Sequence, residues 1–208
     1  MLEQQVRPTD VTDARLLDAL RQVKRTDFLS PDLAGLAFAD TFLPIGYGQT
    51  MLPPILQSKM LQALAVKADE TVLEIGSGSG YFTALLALLA KQVTTVEIVP
   101  ELAELTRQNI AKIDLNNVTV EAGDASVQWP LDERVNIIVS TAAFVSIPDA
   151  YLHQLHVGGR LLAIVGEGQS MEVKLVTRVA ERQWQTKVVL ETVIPAMINA
   201  EPKPEFEF

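Results

Sequence analysis

Residues Thr71 to Gly80 read TVLEIGSGSG, and the fold is decided in these ten positions. Val72, Leu73 and Ile75 form a short apolar run, with Glu74 inside it, that ends on a cluster of glycines. A buried parallel strand running into a tight loop has this pattern. Gly76, Gly78 and Gly80 remove three β-carbons within five positions, so the backbone can turn sharply and approach a ligand closely. Tyr81 to Ala90 (YFTALLALLA) is rich in helix formers, which predicts a helix starting near Gly80 with its free N–H groups facing the loop. Gln92 to Val96 then reads as a second strand, ended by Glu97, twenty-one positions beyond Gly76. An acid at that strand tip can accept hydrogen bonds from both hydroxyls of a ribose. Strand, glycine loop, helix, strand and acid predict the nucleoside-binding half of a doubly wound α/β sheet.

The composition bounds the rest. A chain of 208 residues, 48% of them hydrophobic, fits one large α/β domain with a single substantial core. Within it, residues 1–66 are expected to carry N-terminal helices and a loop over the site, 67–198 the α/β core, and 199–208 a poorly ordered polar tail. The lack of cysteine excludes disulfides and thiol chemistry and suits a reducing cytoplasm. MLEQQVRPTD lacks a signal-peptide profile, and the most apolar window, Tyr81 to Ala90, is too short to span a bilayer. A cytoplasmic protein without membrane association, monomeric or weakly dimeric, is expected. A net charge of −9 argues against nonspecific attraction to nucleic acid. His153 and His156 lie three apart without a carboxylate cluster, which reads as helix surface and not as a metal site.

Along the chain, Thr12-Asp13 precedes Leu16, Leu17, Leu20 and Val23 at helical spacing, and Ser30-Pro31 suits a turn or a short helix to Ala37. Phe42 to Pro54 (FLPIGYGQTMLPP) holds three prolines and two glycines, which predicts a fixed irregular loop able to lie over a site. Gln49 and Thr50 supply its polar side chains, and Ile55 to Val66 follows as an amphipathic helix. Glu101 to Ile113 reads as a helix, and Val118 to Glu121 as a strand closed by Gly123-Asp124. Asn136 to Ser140 is a buried strand, with Thr141, Ala142 and Ala143 at the C-terminal end where ligands lie in such sheets. Pro148 to Leu155 suits a helix, Gly158-Gly159 a turn, and Arg160 to Val165 a fifth strand. Glu172 to Ala180 and Trp184 to Ile194 alternate as two more.

The glycine spacing discriminates between nucleoside chemistries. Tyr81 stands where a dinucleotide turn wants a small residue, and no Tyr-x-x-x-Lys pair is present, so a nicotinamide-dependent oxidoreductase is disfavoured. With Glu74 in front, E-x-G-x-G-x-G resembles motif I of the S-adenosylmethionine-dependent methyltransferases. LPIGYGQT, Leu43 to Thr50, is similar to the signature of the protein-L-isoaspartate O-methyltransferases. The likeness continues in MLEQQVRP, DALRQVKRTDF, LEIGSGSGY, the TAA and IP of Thr141 to Pro148, and LHVGGRLLAIVGEG, so it covers nearly the whole chain.

That resemblance implies a Rossmann-like, doubly wound, mostly parallel sheet of the class I methyltransferases, about seven strands with helices on both faces. It implies methyl transfer from S-adenosyl-L-methionine, leaving S-adenosyl-L-homocysteine, to the α-carboxyl of isoaspartyl residues in damaged proteins or peptides. The ester then collapses to a succinimide, whose hydrolysis partly restores aspartate. The implied cofactor contacts are Glu74, Gly76, Ser77, Gly78, Gly80, Glu97, Ile98, Gly123, Asp124, Ala125 and Thr141, with no metal. Glu97 would hold the ribose, Asp124 the adenine amino group, and Thr50 would lie near the methyl. Four positions depart from the family pattern: Leu52 for the active-site serine, Asn136 for aspartate, Ile164 for proline and Ala125 for glycine. Leucine neither donates nor accepts a hydrogen bond. A second reading therefore stays open, an S-adenosylmethionine-binding relative with another acceptor or a non-catalytic role.

Overall fold

The structure, a computed structural model, describes residues 1–201. After two short N-terminal helical turns come α1 (Ala14–Gln22), β1 (Leu43–Gly46), β2 (Gln49–Met51), α2 (Pro54–Leu64), β3 (Thr71–Ile75) and α3 (Tyr81–Leu89). Then follow β4 (Gln92–Glu97), α4 (Pro100–Lys112), β5 (Val118–Ala122), β6 (Val135–Phe144), α5 (Asp149–His153), β7 (Leu155–Glu167), β8 (Ser170–Ala180) and β9 (Gln183–Thr192). Seven of the strands form one sheet in the order β5-β4-β3-β6-β7-β8-β9, while β1 and β2 pair by themselves. Pairings from β5 through β7 are parallel, and β8 and β9 return as antiparallel strands.

The central strands are buried on both faces, and their alternation divides the core. Val72, Ile137, Val139, Leu162 and Ile164 pack toward α1, α2 and α3. Leu73, Ile75, Ile138, Leu161 and Ala163 face the other way, onto Phe144, Tyr151 of α5, and Met197. Each large apolar side chain so buried contributes roughly 1.5–3 kcal/mol. Helices lie on both faces, but unevenly: the second face is closed by the short α5 together with Trp129 and Leu131 of the loop between β5 and β6. Asp13 caps α1, accepting from the N–H groups of Arg15 (2.8 Å) and Leu16 (3.1 Å), worth about 1 kcal/mol.

Arg160 of β7 makes a two-pronged ion pair with Glu70 at 2.7 and 2.9 Å, both side chains largely buried, and donates to the carbonyls of Leu64 and Ala65. It locks the end of α2 and the start of β3 to the middle of the sheet. Despite burial, the Arg160 fork and the Lys67 N–H hold the Glu70 carboxyl below its ordinary value.

Several expectations are corrected. Phe42 to Pro54 is not irregular throughout, because β1 and β2 form a hairpin across Tyr47 (φ 53°) and Gly48 (φ 71°). Two consecutive positive φ values are the signature of a type I′ turn, whose twist matches paired strands. Gly158-Gly159 is no turn between elements: it lies inside β7, where Gly158 at φ 85° and a register shift against β6 make a bulge. Thr141 to Ala143 belong to β6, which runs on to Phe144 through a break in its pairing with β7. The helix expected over Pro148 to Leu155 shrinks to Asp149–His153, so the exposed His156 sits on a strand. Of the tail expected over 199–208, Asn199 donates to Asp124 at 2.8 Å, and residues 202–208 lie outside the described residues. Among the described residues, no helix is long and apolar enough to cross a membrane.

Candidate active site

Strand order reverses between β3 and β6, one leading outward to β4 and β5 and the other to β7. Loops leaving their C-terminal ends diverge there and open a crevice. The cleft at this point lies between the glycine loop, the tip of β4, the loop after β5 and the β1–β2 hairpin.

The floor is the glycine loop. Gly76 (φ 90°) donates its N–H to Val96 O at 2.8 Å, and a β-carbon on it would lie 2.7 Å from Thr141 Oγ1. On Gly78 (φ 57°) a β-carbon would lie 2.9 Å from Ile45 Cδ1, so a side chain there would collide with the hairpin. Helix α4 supports the loop from behind: Thr106 bonds Ser77 Oγ at 2.9 Å, and Asn109 donates to Ser79 O at 2.9 Å. Glu97 at the tip of β4 joins the loop to the next crossover. Its Oε2 accepts from Gly78 N at 2.8 Å and its Oε1 from Val99 N at 3.1 Å. Each carboxylate oxygen keeps a second lone pair for a ligand hydroxyl.

Beside it, Asp124 accepts from Ser126 N at 2.8 Å, and this bond, aided by Asn199, holds its carboxyl below the ordinary value. The hydroxyl of Thr141 donates to Gly76 O at 2.5 Å, making it a brace for the glycine loop. Ile45, Gln49, Thr50, Met51 and Leu52 of the hairpin form the roof, and Met197 and Ile198 close the remaining side. Met197 is anchored by its N–H to Ala143 O at 2.8 Å.

Of the residues named from sequence, Thr50, Leu52, Gly76, Ser77, Gly78, Glu97, Ile98, Gly123, Asp124, Ala125 and Thr141 all line this cleft. Glu74 and Gly80 do not line it. Gly80 packs against Thr106, and Glu74 is fully buried behind the loop, accepting from Thr83 Oγ1 at 2.5 Å. Burial pushes the Glu74 carboxyl up to about 7, with Thr83 pulling the other way. Two of the departures from the family pattern also lie away from the cleft. Asn136 accepts from Thr71 N (2.9 Å) near the N-terminal ends of β3 and β6, and Ile164 is buried between β6 and β8.

Sequence reading missed a cluster beneath the roof. Arg25, 1% exposed, donates to Leu52 O at 2.6 Å and to Gln57 Oε1, and its guanidinium lies 5.0 Å from the centre of the Tyr81 ring. Burial lowers its pKa, and no described carboxylate lies within ion-pair distance. No periodicity announces this cluster, because Arg25 and Gln57 are 32 positions apart and meet only through the fold. The C-terminal wall of Met197 and Ile198 was hidden for the same reason.

The family model for Protein-L-isoaspartate(D-aspartate) O-methyltransferase (PCMT) matches residues 1–200. A protein-L-isoaspartate O-methyltransferase of Myxococcus xanthus is 45% identical over 156 residues, 75% of this chain and 74% of its own. One from Anaeromyxobacter dehalogenans is 42% identical over 186 residues, 89% of this chain and 88% of its own. A solved Plasmodium falciparum chain in complex with S-adenosyl-L-homocysteine superposes at TM-score 0.78 and 17% identity, covering 92% of this chain and 94% of its own. At that identity it speaks to the fold. With the family likeness running through glycine loop, hairpin and C-terminal wall alike, this chain belongs to the protein-L-isoaspartate(D-aspartate) O-methyltransferase family.

Proposed function

We propose that the cleft binds S-adenosyl-L-methionine and directs its methyl group onto the α-carboxylate of an isoaspartyl residue in a polypeptide. One observation carries this reading: the family likeness spans residues 1–200 and so includes the glycine-loop floor and the hairpin roof together. The wall fits the nucleoside. Without β-carbons, Gly76 and Gly78 let the loop sit tight against Thr141 and Ile45 at the edge of the cleft, and Glu97 and Asp124 offer acceptors to ribose hydroxyls and an adenine amino group. When bound, S-adenosyl-L-methionine supplies a methyl group on a sulfonium sulfur that departs as a neutral thioether.

The remaining work is positioning. The acceptor carboxylate is already the nucleophile, so no proton has to be removed, and the cleft wall carries no histidine, lysine or arginine. Glu97 and the glycine loop fix the donor, while Thr50 and its neighbours on the hairpin bring the acceptor oxygen in line with the methyl. Calorimetry should give S-adenosyl-L-homocysteine a micromolar Kd (roughly −8 kcal/mol) and no measurable heat with NAD. Labelled methyl should then pass to an isoaspartyl peptide, as a base-labile ester, and not to its aspartyl counterpart. Cofactor binding without that transfer would favour the second reading, an S-adenosylmethionine-binding relative with another acceptor. The apolar Leu52 on the roof is what speaks for it.

A further inference from the structure

Leu52 leaves the roof without a hydroxyl, but a different polar group stands beside it. Gln57 is 3% exposed and lies on the cleft wall, as do Leu52 and Tyr81. These three are the groups that Arg25 touches from behind. A guanidinium can only donate, so the amide of Gln57 is forced to turn its oxygen toward Arg25. Its nitrogen, with two N–H groups, must then point away. Gln57 Nε2 makes no hydrogen bond within the described residues, and it is not among the sealed, unpartnered side-chain atoms, so it reaches open space. The cleft is an open space that Gln57 lines.

Charge points the same way. The charged side chains on the cleft wall are Glu97 and Asp124, both acids, which repel an anionic acceptor. Arg25 is a buried cation one layer behind the roof, and its partners, the Leu52 carbonyl and the Gln57 amide, are neutral. Asp40 acts on it only from beyond ion-pair distance, and a desolvated charge without a contacting counter-ion is costly and favours an anion nearby.

We infer that Gln57, oriented by Arg25, is the acceptor-carboxylate donor of this enzyme and stands in for the hydroxyl absent at Leu52. The inference rests on the methyl-transfer reading above and adds the residue that selects the acceptor. One carboxylate oxygen takes an N–H of Gln57 while the other forms the new O–CH3 bond. The C–S bond breaks, its electron pair goes to sulfur, and the anionic acceptor becomes a neutral ester. Arg25 is a positioning residue: it sets the direction of the amide and supplies positive potential without touching the acceptor.

The test is equilibrium binding of a fluorescent isoaspartyl peptide, and of the same peptide with its α-carboxyl converted to carboxamide, to protein loaded with S-adenosyl-L-homocysteine. The native protein should prefer the carboxylate by tenfold or more. Gln57→Leu should reduce that preference below threefold while leaving the affinity for S-adenosyl-L-homocysteine within twofold. Because Gln57→Leu strips a partner from a buried arginine, Gln57→Glu is the second variant. It keeps Arg25 paired but offers the cleft only an acceptor, and the preference should vanish or invert. Adding Leu52→Ser to Gln57→Leu should restore at least half of the lost preference. A native protein that does not discriminate the two peptides, or a Gln57→Glu variant that still prefers the carboxylate tenfold, overturns the inference. Tight, carboxylate-selective binding with no labelled methyl transferred would leave Gln57 in its role and sink the proposed reaction instead.

Discussion

Gly78 sits at φ 57° with Ile45 on one side and the N–H of its own peptide given to Glu97 on the other. Alanine there must hold a left-handed backbone, at about 1–2 kcal/mol, and its methyl collides with Ile45 Cδ1, pushing the loop away from the hairpin. Gly78→Ala should weaken S-adenosyl-L-homocysteine binding at least tenfold by calorimetry; an unchanged Kd would mean that the loop does not cradle the nucleoside. Glu74 makes a prediction in pH. Its ordinary value of 4.5 rises to about 7 in the folded protein, so the native state holds a proton that the unfolded chain releases. The stability this confers is complete below pH 4.5 and is lost as pH rises through about 7, by at most about 3 kcal/mol. Denaturant melts of Glu74→Gln should lack that decline between pH 5 and 8; an equal decline in both proteins would assign it elsewhere. The places of Gly76, Gly78 and Glu97 on the cleft were legible because they follow from spacing within one strand-loop-helix unit, whereas Gly80 packs on Thr106 instead. Glu74 shares that unit, yet its place behind the loop depends on how the strand's alternation meets α3, which the motif does not encode.

The hairpin of β1 and β2 is the element most exposed to test. Tyr47 takes the first left-handed position of its turn while 60% exposed, where asparagine or glycine would be more at ease. Tyr47→Asn should raise Tm slightly, by up to about 1 kcal/mol of added stability, without altering cofactor affinity. Gly48→Val places a branched side chain at φ 71° and should unpair the strands. Acceptor methylation should then be lost while S-adenosyl-L-homocysteine still binds, since the floor is built from other elements. Loss of both together would show that roof and floor fold as one unit. The strands of the large sheet were readable from their apolar runs, and the hairpin was not. Tyr-Gly is a weak turn signal, and Pro44 inside β1 argues against a strand unless the strand is at an edge.

At the scale of the molecule, the Arg160–Glu70 fork is the bolt between the sheet and the helical layer that carries the roof. Arg160→Met leaves a buried carboxylate without its partner, a change that costs about 3–5 kcal/mol. Equilibrium denaturation should show a midpoint lowered accordingly, and a loss below 1 kcal/mol would demote the pair to a surface contact. The parallel sheet was legible in outline from alternating helices and strands, whereas the closing of the cleft by Met197 and Ile198 was not. Nothing local to a polar stretch near the C-terminus says that it folds back to Ala143 and Asp124. That fold-back has a consequence during synthesis. Glycine loop and Glu97 leave the ribosome about one hundred residues before the last wall of the cleft does. A nascent chain halted at residue 190 should therefore capture no nucleoside, and methyl-donor loading becomes a checkpoint that a half-made polypeptide fails.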